Sequence, residues 1–279
     1  MDKVRPTARW AAALAALGAL SGCSDGVGIG GPQRVSLNFR VASAAPASAV
    51  GPALVGRPAG VVGPPMVLTG TNGTLTLDEI RIVINEVELK PADGSCDSVD
   101  TSGSNSSDDC PEFEAPPRFV DLALDGAPIE AVTALIPAGT YKELDFEIED
   151  LEDDEGDATE AALIAAVRAE ILAEIPDWPD KASAMVSGSF APAAGGSIDF
   201  RVFLEAEIEI EFELIPNLVI DDTGVASRDL TVDVAPAIWF SNPDGTVLEL
   251  NLYDYDATGE LLEFEVEMED GFTEVEYED

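Results

Sequence analysis

No histidine occurs anywhere in the chain, and lysine and arginine together number only 14, against 55 aspartates and glutamates. The first absence excludes imidazole-based triads, histidine general bases and histidine-ligated zinc. The second leaves a formal charge of −41, a field that repels phosphate backbones, so no nucleic-acid partner is expected. Long apolar runs are missing too: the stretch from Trp10 through Leu20 falls far short of the ~20 residues a membrane-spanning helix needs. There is no Gly-x-Ser-x-Gly, no Ser-x-x-Lys and no P-loop, so the familiar nucleophile and phosphate-cradling motifs are absent. What remains is 46% hydrophobic, enough to build a core in a 279-residue chain and to exclude wholesale disorder. A non-enzymatic binding or structural module is the expectation.

The N-terminus reads as an address. Lys3, Arg5 and Arg9 precede the apolar run, which ends in Leu20-Ser21-Gly22-Cys23. That tetrapeptide resembles the lipobox of bacterial lipoproteins. The resemblance implies diacylation of the Cys23 thiol, cleavage before it, and acylation of the new amine, so residues 1–22 are expected to be a signal peptide. Cleavage would remove three basic residues and one acid, leaving the rest still more negative. Several acyl chains, at ~0.8 kcal/mol per buried CH₂, would hold the protein on a membrane. Ser24 after the cysteine resembles an outer-membrane rather than an inner-membrane sorting signal. Residues 23–32 are Gly-rich and read as a flexible tether.

Export to an oxidising compartment pairs the other two cysteines. Cys96 and Cys110 bracket a polar segment without a core-forming pattern, and closing it as a disulfide loop would contribute roughly 3 kcal/mol in the chain-entropy account. A redox-active pair lacks the Cys-x-x-Cys spacing.

Alternation of apolar and polar residues dominates from Val35 onward. Strands are expected at Val35–Val41, Leu75–Ile84, Val87–Leu89 after a bulge or turn near Asn85-Glu86, and Leu144–Ile148. The run from Ile198 to Leu214 is apolar at every even position; as one strand it would exceed ~50 Å, so it is expected to bend or serve two sheets. Leu230–Val234, Leu248–Leu252 and Leu262–Met268 close the series, and Gly51 to Thr71 reads as a long loop. One helix is expected near 158–175, with Leu163, Val167, Ile171 and Ile175 as its apolar stripe, an Asp157/Glu160 capping box and Pro176 as its stop. The class is mainly β: an antiparallel β-sandwich (immunoglobulin- or transthyretin-like) with one inserted helix. The sandwich is expected over 33–240, with acidic C-terminal strands over 241–279 that could stand apart as a hairpin.

Three stretches carry a family resemblance. Leu77 to Leu89, then Phe119-Val120-Asp121-Leu122 followed by Ile136-Pro137-Ala138-Gly139-Thr140-Tyr141, and finally Asp229 to Val234 with Trp239-Phe240 resemble a bacterial lipoprotein family built on a domain of unknown function. The resemblance spans roughly Val35 to Phe240 and implies a sandwich fold and surface location. It brings no catalytic residues.

Acidity is the remaining chemical signal. Eleven acids fall between Tyr141 and Glu160, and sixteen in the last 51 positions, which hold no basic residue. Glu205, Glu207, Glu209, Glu211 and Glu213 share one strand face by parity, as do Glu263, Glu265, Glu267 and Glu269. Three readings stand side by side. The acids form a solvated face that keeps edges from pairing. Alternatively they bind divalent cations, above all Ca²⁺, with Asp150, Glu152, Asp153, Asp154 and Asp157 as the first candidate ligands in a turn that does not fit the EF-hand spacing. The disulfide loop, with Asp97, Asp100, Asp108 and Asp109, is a weaker candidate. Or they dock a basic protein or an envelope polymer. Ca²⁺-dependent adhesion or carbohydrate binding is therefore the alternative function, and a carboxylate-based hydrolase a third. Trp178 and Trp239 are read as core rather than as ligand-stacking platforms.

Overall fold

The computed structural model describes residues 32–42, 64–92, 113–151, 158–221 and 227–277. Cys23, Cys96, Cys110, Glu152, Asp153, Asp154 and Asp157 lie outside the described residues. Within them the strands are β1 (Gln33–Val41), β2 (Met66–Gly70), β3 (Gly73–Ile84), β4 (Glu86–Pro91), β5 (Phe113–Ala115), β6 (Arg118–Asp121), β7 (Ile129–Ile136) and β8 (Gly139–Ile148). After helix α1 (Ala158–Glu174) come β9 (Ala184–Pro192), β10 (Ile198–Glu205), β11 (Ile208–Ile220), β12 (Arg228–Val234), β13 (Leu262–Glu263) and β14 (Phe272–Tyr277). Short helices α2 (Pro236–Trp239), α3 (Tyr255–Thr258) and α4 (Glu265–Glu269), with a 3₁₀ turn at Leu250–Tyr253, lie between β12 and β14. No helix among the described residues is long and apolar enough to cross a membrane.

The protein is mainly β and sandwich-like. One sheet runs β14-β12-β1-β7, a second β13-β10-β9-β3-β2 with β6 also on β3, and a third β11-β8-β4-β5. Alternation drives this: along β12 the residues Leu230, Val232 and Val234 are buried while those between them are not. The first and third sheets meet through edge-on aromatic contacts, Phe39 to Phe146 at 5.4 Å and Phe146 to Phe272 at 5.3 Å between ring centres. Pairing is mostly antiparallel, but β1 with β12 and β10 with β13 run parallel.

Two strand pairs change sheets. The break at Asn85 passes the chain from β3 in the second sheet to β4 in the third. Ala206-Glu207 does the same between β10 and β11, so the long alternating run serves two sheets, as its length requires. Tyr141, at the end of the Pro-Ala-Gly-Thr-Tyr turn, is buried, and its hydroxyl donates to the Pro137 carbonyl at 3.0 Å.

Several local expectations differ from what forms. Met66–Gly70, inside the expected loop, is a strand paired with β3. Val167, Ile171 and Ile175 face inward as expected, but Ile164 takes the first place of the stripe and Leu163 is 41% exposed. Leu250–Tyr253 is a 3₁₀ turn and Glu265–Glu269 a helix, where strands were expected. Phe264 and Met268 are both buried while Val266 is 69% exposed, which is the i, i+4 spacing of one helical turn rather than the i, i+2 of a strand. The tail is not a separate hairpin: β14 pairs with β12, and Leu250, Phe264, Met268 and Phe272 join the main core. Both tryptophans pack as core residues. Trp239 is buried, its indole N–H donating to the Met268 carbonyl at 2.8 Å, and Gly271 leaves it room, since a Cβ there would meet the indole nitrogen at 1.6 Å. Trp178 is half-buried against Phe119 and Phe203.

Candidate functional site

Three of the scarce arginines sit inside clusters of acids. Arg40 grips Asp233 through Nε and a terminal nitrogen at 2.8 and 2.9 Å and reaches Glu276 at 2.8 Å, joining β1, β12 and β14. The Asp233 hydrogen bonds, then that to Glu276, push its guanidinium pKa still higher. Arg81 meets Glu79 at 2.6 Å, Asp121 at 3.7 Å and also Glu174, tying α1 to the second sheet. Arg201 holds Asp177 and Asp256. Arg81 and Arg201 also lie over aromatic rings, Phe119 at 5.4 Å and Phe203 at 5.3 Å.

The third sheet is different. Residues paired across an antiparallel ladder share a face, and its register lines up three rows of charged residues. Glu114, Glu88, Asp145 and Glu211 form one row across β5, β4, β8 and β11. Glu86, Glu147 and Glu209 form the second, and Lys90, Glu143 and Glu213 the third. Nine carboxylates and one lysine therefore occupy one face of a four-stranded sheet, while Val87, Leu89, Leu144, Phe146, Ile208 and Ile210 from the same strands fill the core behind it. Strands lie ~4.8 Å apart and successive same-face residues ~7 Å apart along a strand, so every acid has acidic neighbours on two or more sides.

The consequences are visible in the acids themselves. Asp145, 3% exposed at the centre of the face, has its pKa raised by burial, opposed by the Lys90 hydrogen bond and charge, and raised again by Glu143 and Glu211. Glu147 is raised by burial and then by Glu209 and Glu207. Lys90 stands 3.1 Å from Glu143 and contacts Asp145; those carboxylates, Asp145 foremost, drive its pKa upward. Asp145 Oδ1 has no hydrogen-bond partner among the described residues. Two groups on this face, Glu86–Glu88–Glu114 and Glu143–Asp145–Glu211, place one oxygen from each member within 4.8 Å of the others. A third such group, Asp233–Glu274–Glu276, lies on the first sheet around Arg40.

The face continues into a cleft of about 260 Å³ at the end of β8 and β11, lined by Glu149, Asp150, Glu205, Glu207, Glu263 and Glu265 with Lys181. Among the described residues Lys181 reaches only Glu205, at 3.5 Å. Of the expected Ca²⁺ ligands, Asp150 is thus on the rim of this cleft and in none of the three tight groups. A larger hollow, about 830 Å³, is a shallow groove over β12 and β14 beside Arg40 and Tyr277. Sequence parity found the β11 glutamates and those of β8, but not that the two columns are neighbours, nor that Glu86, Glu88 and Glu114 complete the face. Glu265, Glu267 and Glu269 lie on α4 instead of a strand face.

No family model and no curated protein matches the chain. Among solved structures, MbnP from Methylosinus trichosporium matches over 72% of this chain and 75% of its own, at 13% identity and a TM-score of 0.33. A likeness that slight carries no argument about this protein.

Proposed function

We propose that the protein is a lipid-anchored module of the bacterial envelope, outer-membrane in address, that binds without catalysis, and that the outer face of the β5-β4-β8-β11 sheet is its binding surface for cationic ligands. The observation that carries this is the register: nine carboxylates and one lysine share one sheet face. A fold that needed only solubility would scatter its acids, because like charges directly opposite one another destabilise a sheet. The lipobox at Cys23 supports the anchor, and the absence of nucleophile motifs supports a non-catalytic role. The motif resemblance to lipoproteins agrees with both.

A second reading is divalent-cation binding. Oxygens within 4.8 Å of one another in Glu86–Glu88–Glu114 suit a Ca²⁺ ion with ~2.4 Å bonds, water completing its shell. Thermal unfolding of the full chain in spermine, CaCl₂, MgCl₂ and NaCl at matched ionic strength tests both readings. Multivalent cations are expected to raise the midpoint more than NaCl does, and a Glu209→Gln, Glu211→Gln, Glu213→Gln variant to lose that excess. A shift confined to Ca²⁺ favours the second reading. Equal shifts in all four salts contradict both, since screening acts through any cation. For the anchor, Cys23→Ala is expected to abolish acyl labelling and membrane association; their persistence contradicts the anchor.

A further inference from the structure

We propose that Lys90 and Asp145 condense with each other, an amide bond from Lys90 Nζ to Asp145 Cγ joining β4 to β8, with Glu143 as the group that moves the proton. The inference goes beyond the binding reading and does not depend on what the sheet face binds.

The register sets three groups in place. Lys90 on β4 lies opposite Glu143 on β8, and Asp145 follows two residues later on the same face. Lys90 Nζ stands against Asp145 Oδ2 and 3.1 Å from Glu143 Oε1. Nucleophile, carboxyl carbon and proton acceptor are thus held in contact by a folded sheet, where effective molarities of ~10⁵ M or more replace a chance encounter. Burial separates this pair from an ordinary surface ion pair. The Asp145 side chain is 4% exposed and that of Lys90 26%. Among the described residues no donor but Lys90 reaches either Asp145 oxygen, and Glu143 and Glu211 each bring an oxygen within 4.8 Å. A buried carboxylate with one donor and two acidic neighbours is a costly anion. Burial, against the opposing pull of Lys90 and with Glu143 and Glu211 in support, favours its protonated form, the form that can lose water. Condensation removes the buried charge altogether.

Overall, an ammonium and a carboxylate become one amide and one water, so no oxidant or activated donor is required. One ammonium proton passes to the Asp145 carboxylate. A second passes to Glu143 as the Nζ lone pair attacks Cγ. Glu143 returns that proton to the departing hydroxyl as the Cγ–OH bond breaks, and water leaves. The acids around Lys90 hold it as an ammonium, so a proton acceptor at Nζ is needed, and Glu143 is in reach. Asp145 titrates as a carboxyl only until the bond forms.

The test is peptide mass spectrometry of the full chain, reduced and denatured before digestion. The natural chain is expected to yield a branched peptide joining Lys90 to Asp145, lighter by one water than its two segments together. Lys90→Arg keeps a cation against both acids and is expected to yield linear peptides alone. Glu143→Gln, sampled at equal times after refolding, is expected to give about tenfold less branched peptide or lower still. Lys181 is the internal control: its side chain is 71% exposed and reaches Glu205 at 3.5 Å, and no amide is expected there. Linear peptides alone from the natural chain overturn the proposal. A bond from Lys90 to Glu143 overturns Asp145 as the acid that condenses. An unchanged yield in Glu143→Gln overturns its role in moving the proton, and equal bonding at Lys181 overturns burial as the cause.

Discussion

Two cross-strand rows, drawn in part from the same continuous stretches of chain, carry opposite chemistry. On the second sheet the outward row is Phe203, Met185, Arg81 and Asp121; on the third it is Glu211, Asp145, Glu88 and Glu114. The first row is covered. Val83, Met185 and Phe203 lie beneath α1 and Trp178, and Arg81 is surrounded by carboxylates and an aromatic ring. The second row has one lysine beside it and four glutamates of β11 and its approach, Glu207 to Glu213, exposed. The switch occurs within a residue or two, at Asn85 and at Ala206-Glu207, where each strand passes to the next sheet. An outward residue is thus chosen by what lies above it: apolar where a helix docks, acidic where the sheet faces outward. Charge here is a local choice, not a uniform coat.

The contrast can be broken from the covered side first. Phe203→Ala removes a fully buried ring that meets Trp178 at 5.3 Å and Tyr255 at 4.9 Å, and is expected to cost about 3–5 kcal/mol in denaturant unfolding. Arg81→Met comes next. It leaves Glu79, Asp121 and Glu174 together without their cation, in a site where the arginine side chain is 12% exposed, for an expected loss of about 2–4 kcal/mol.

Acid sharpens the comparison. Burial, opposed by Arg81 and reinforced by Glu79 and Glu174, pushes Asp121 up to about 6. A carboxyl whose pKa is higher folded than unfolded favours folding when protonated; that stability is full below about pH 4 and is lost as pH rises through 6. The protein is expected to gain roughly 1–3 kcal/mol from Asp121 as pH falls from 7 to 4. Asp121→Asn should flatten that part of the curve and leave the smaller rise from Asp145 and Glu147, both shifted in the same direction. The smallest effect belongs to the exposed row. Glu211→Gln is expected to stabilise by a few tenths of a kcal/mol at low salt and by nothing measurable in 1 M NaCl, where the Debye length is ~3 Å.

Much of this was readable from sequence, because period is a local property. Alternation located β1, β3, β8, β10, β11 and β12, and the excessive length of the Ile198–Leu214 run called for a bend or a division between two sheets, of which the second forms. The tail misled for the same reason: Leu262, Phe264, Val266 and Met268 satisfy both a strand period and one helical turn, and only packing of Phe264 against Phe240 selects the helix. The acidic columns were visible one strand at a time. Their assembly was not, because Glu88, Asp145 and Glu211 are brought together by pairings between distant segments that no local pattern encodes. Asp150 drew attention through the density of acids around it in sequence, whereas proximity in space belongs to acids spaced two apart on neighbouring strands.

The most direct test of the central claim is zero-length carbodiimide coupling of spermine to the full chain, with the modified carboxylates located by mass spectrometry. Amide bonds concentrated at Glu207, Glu209, Glu211 and Glu213, and along Glu143 to Glu149, are the predicted result. Coupling spread over Glu130, Glu170 and Glu260 in proportion to their exposure would contradict it.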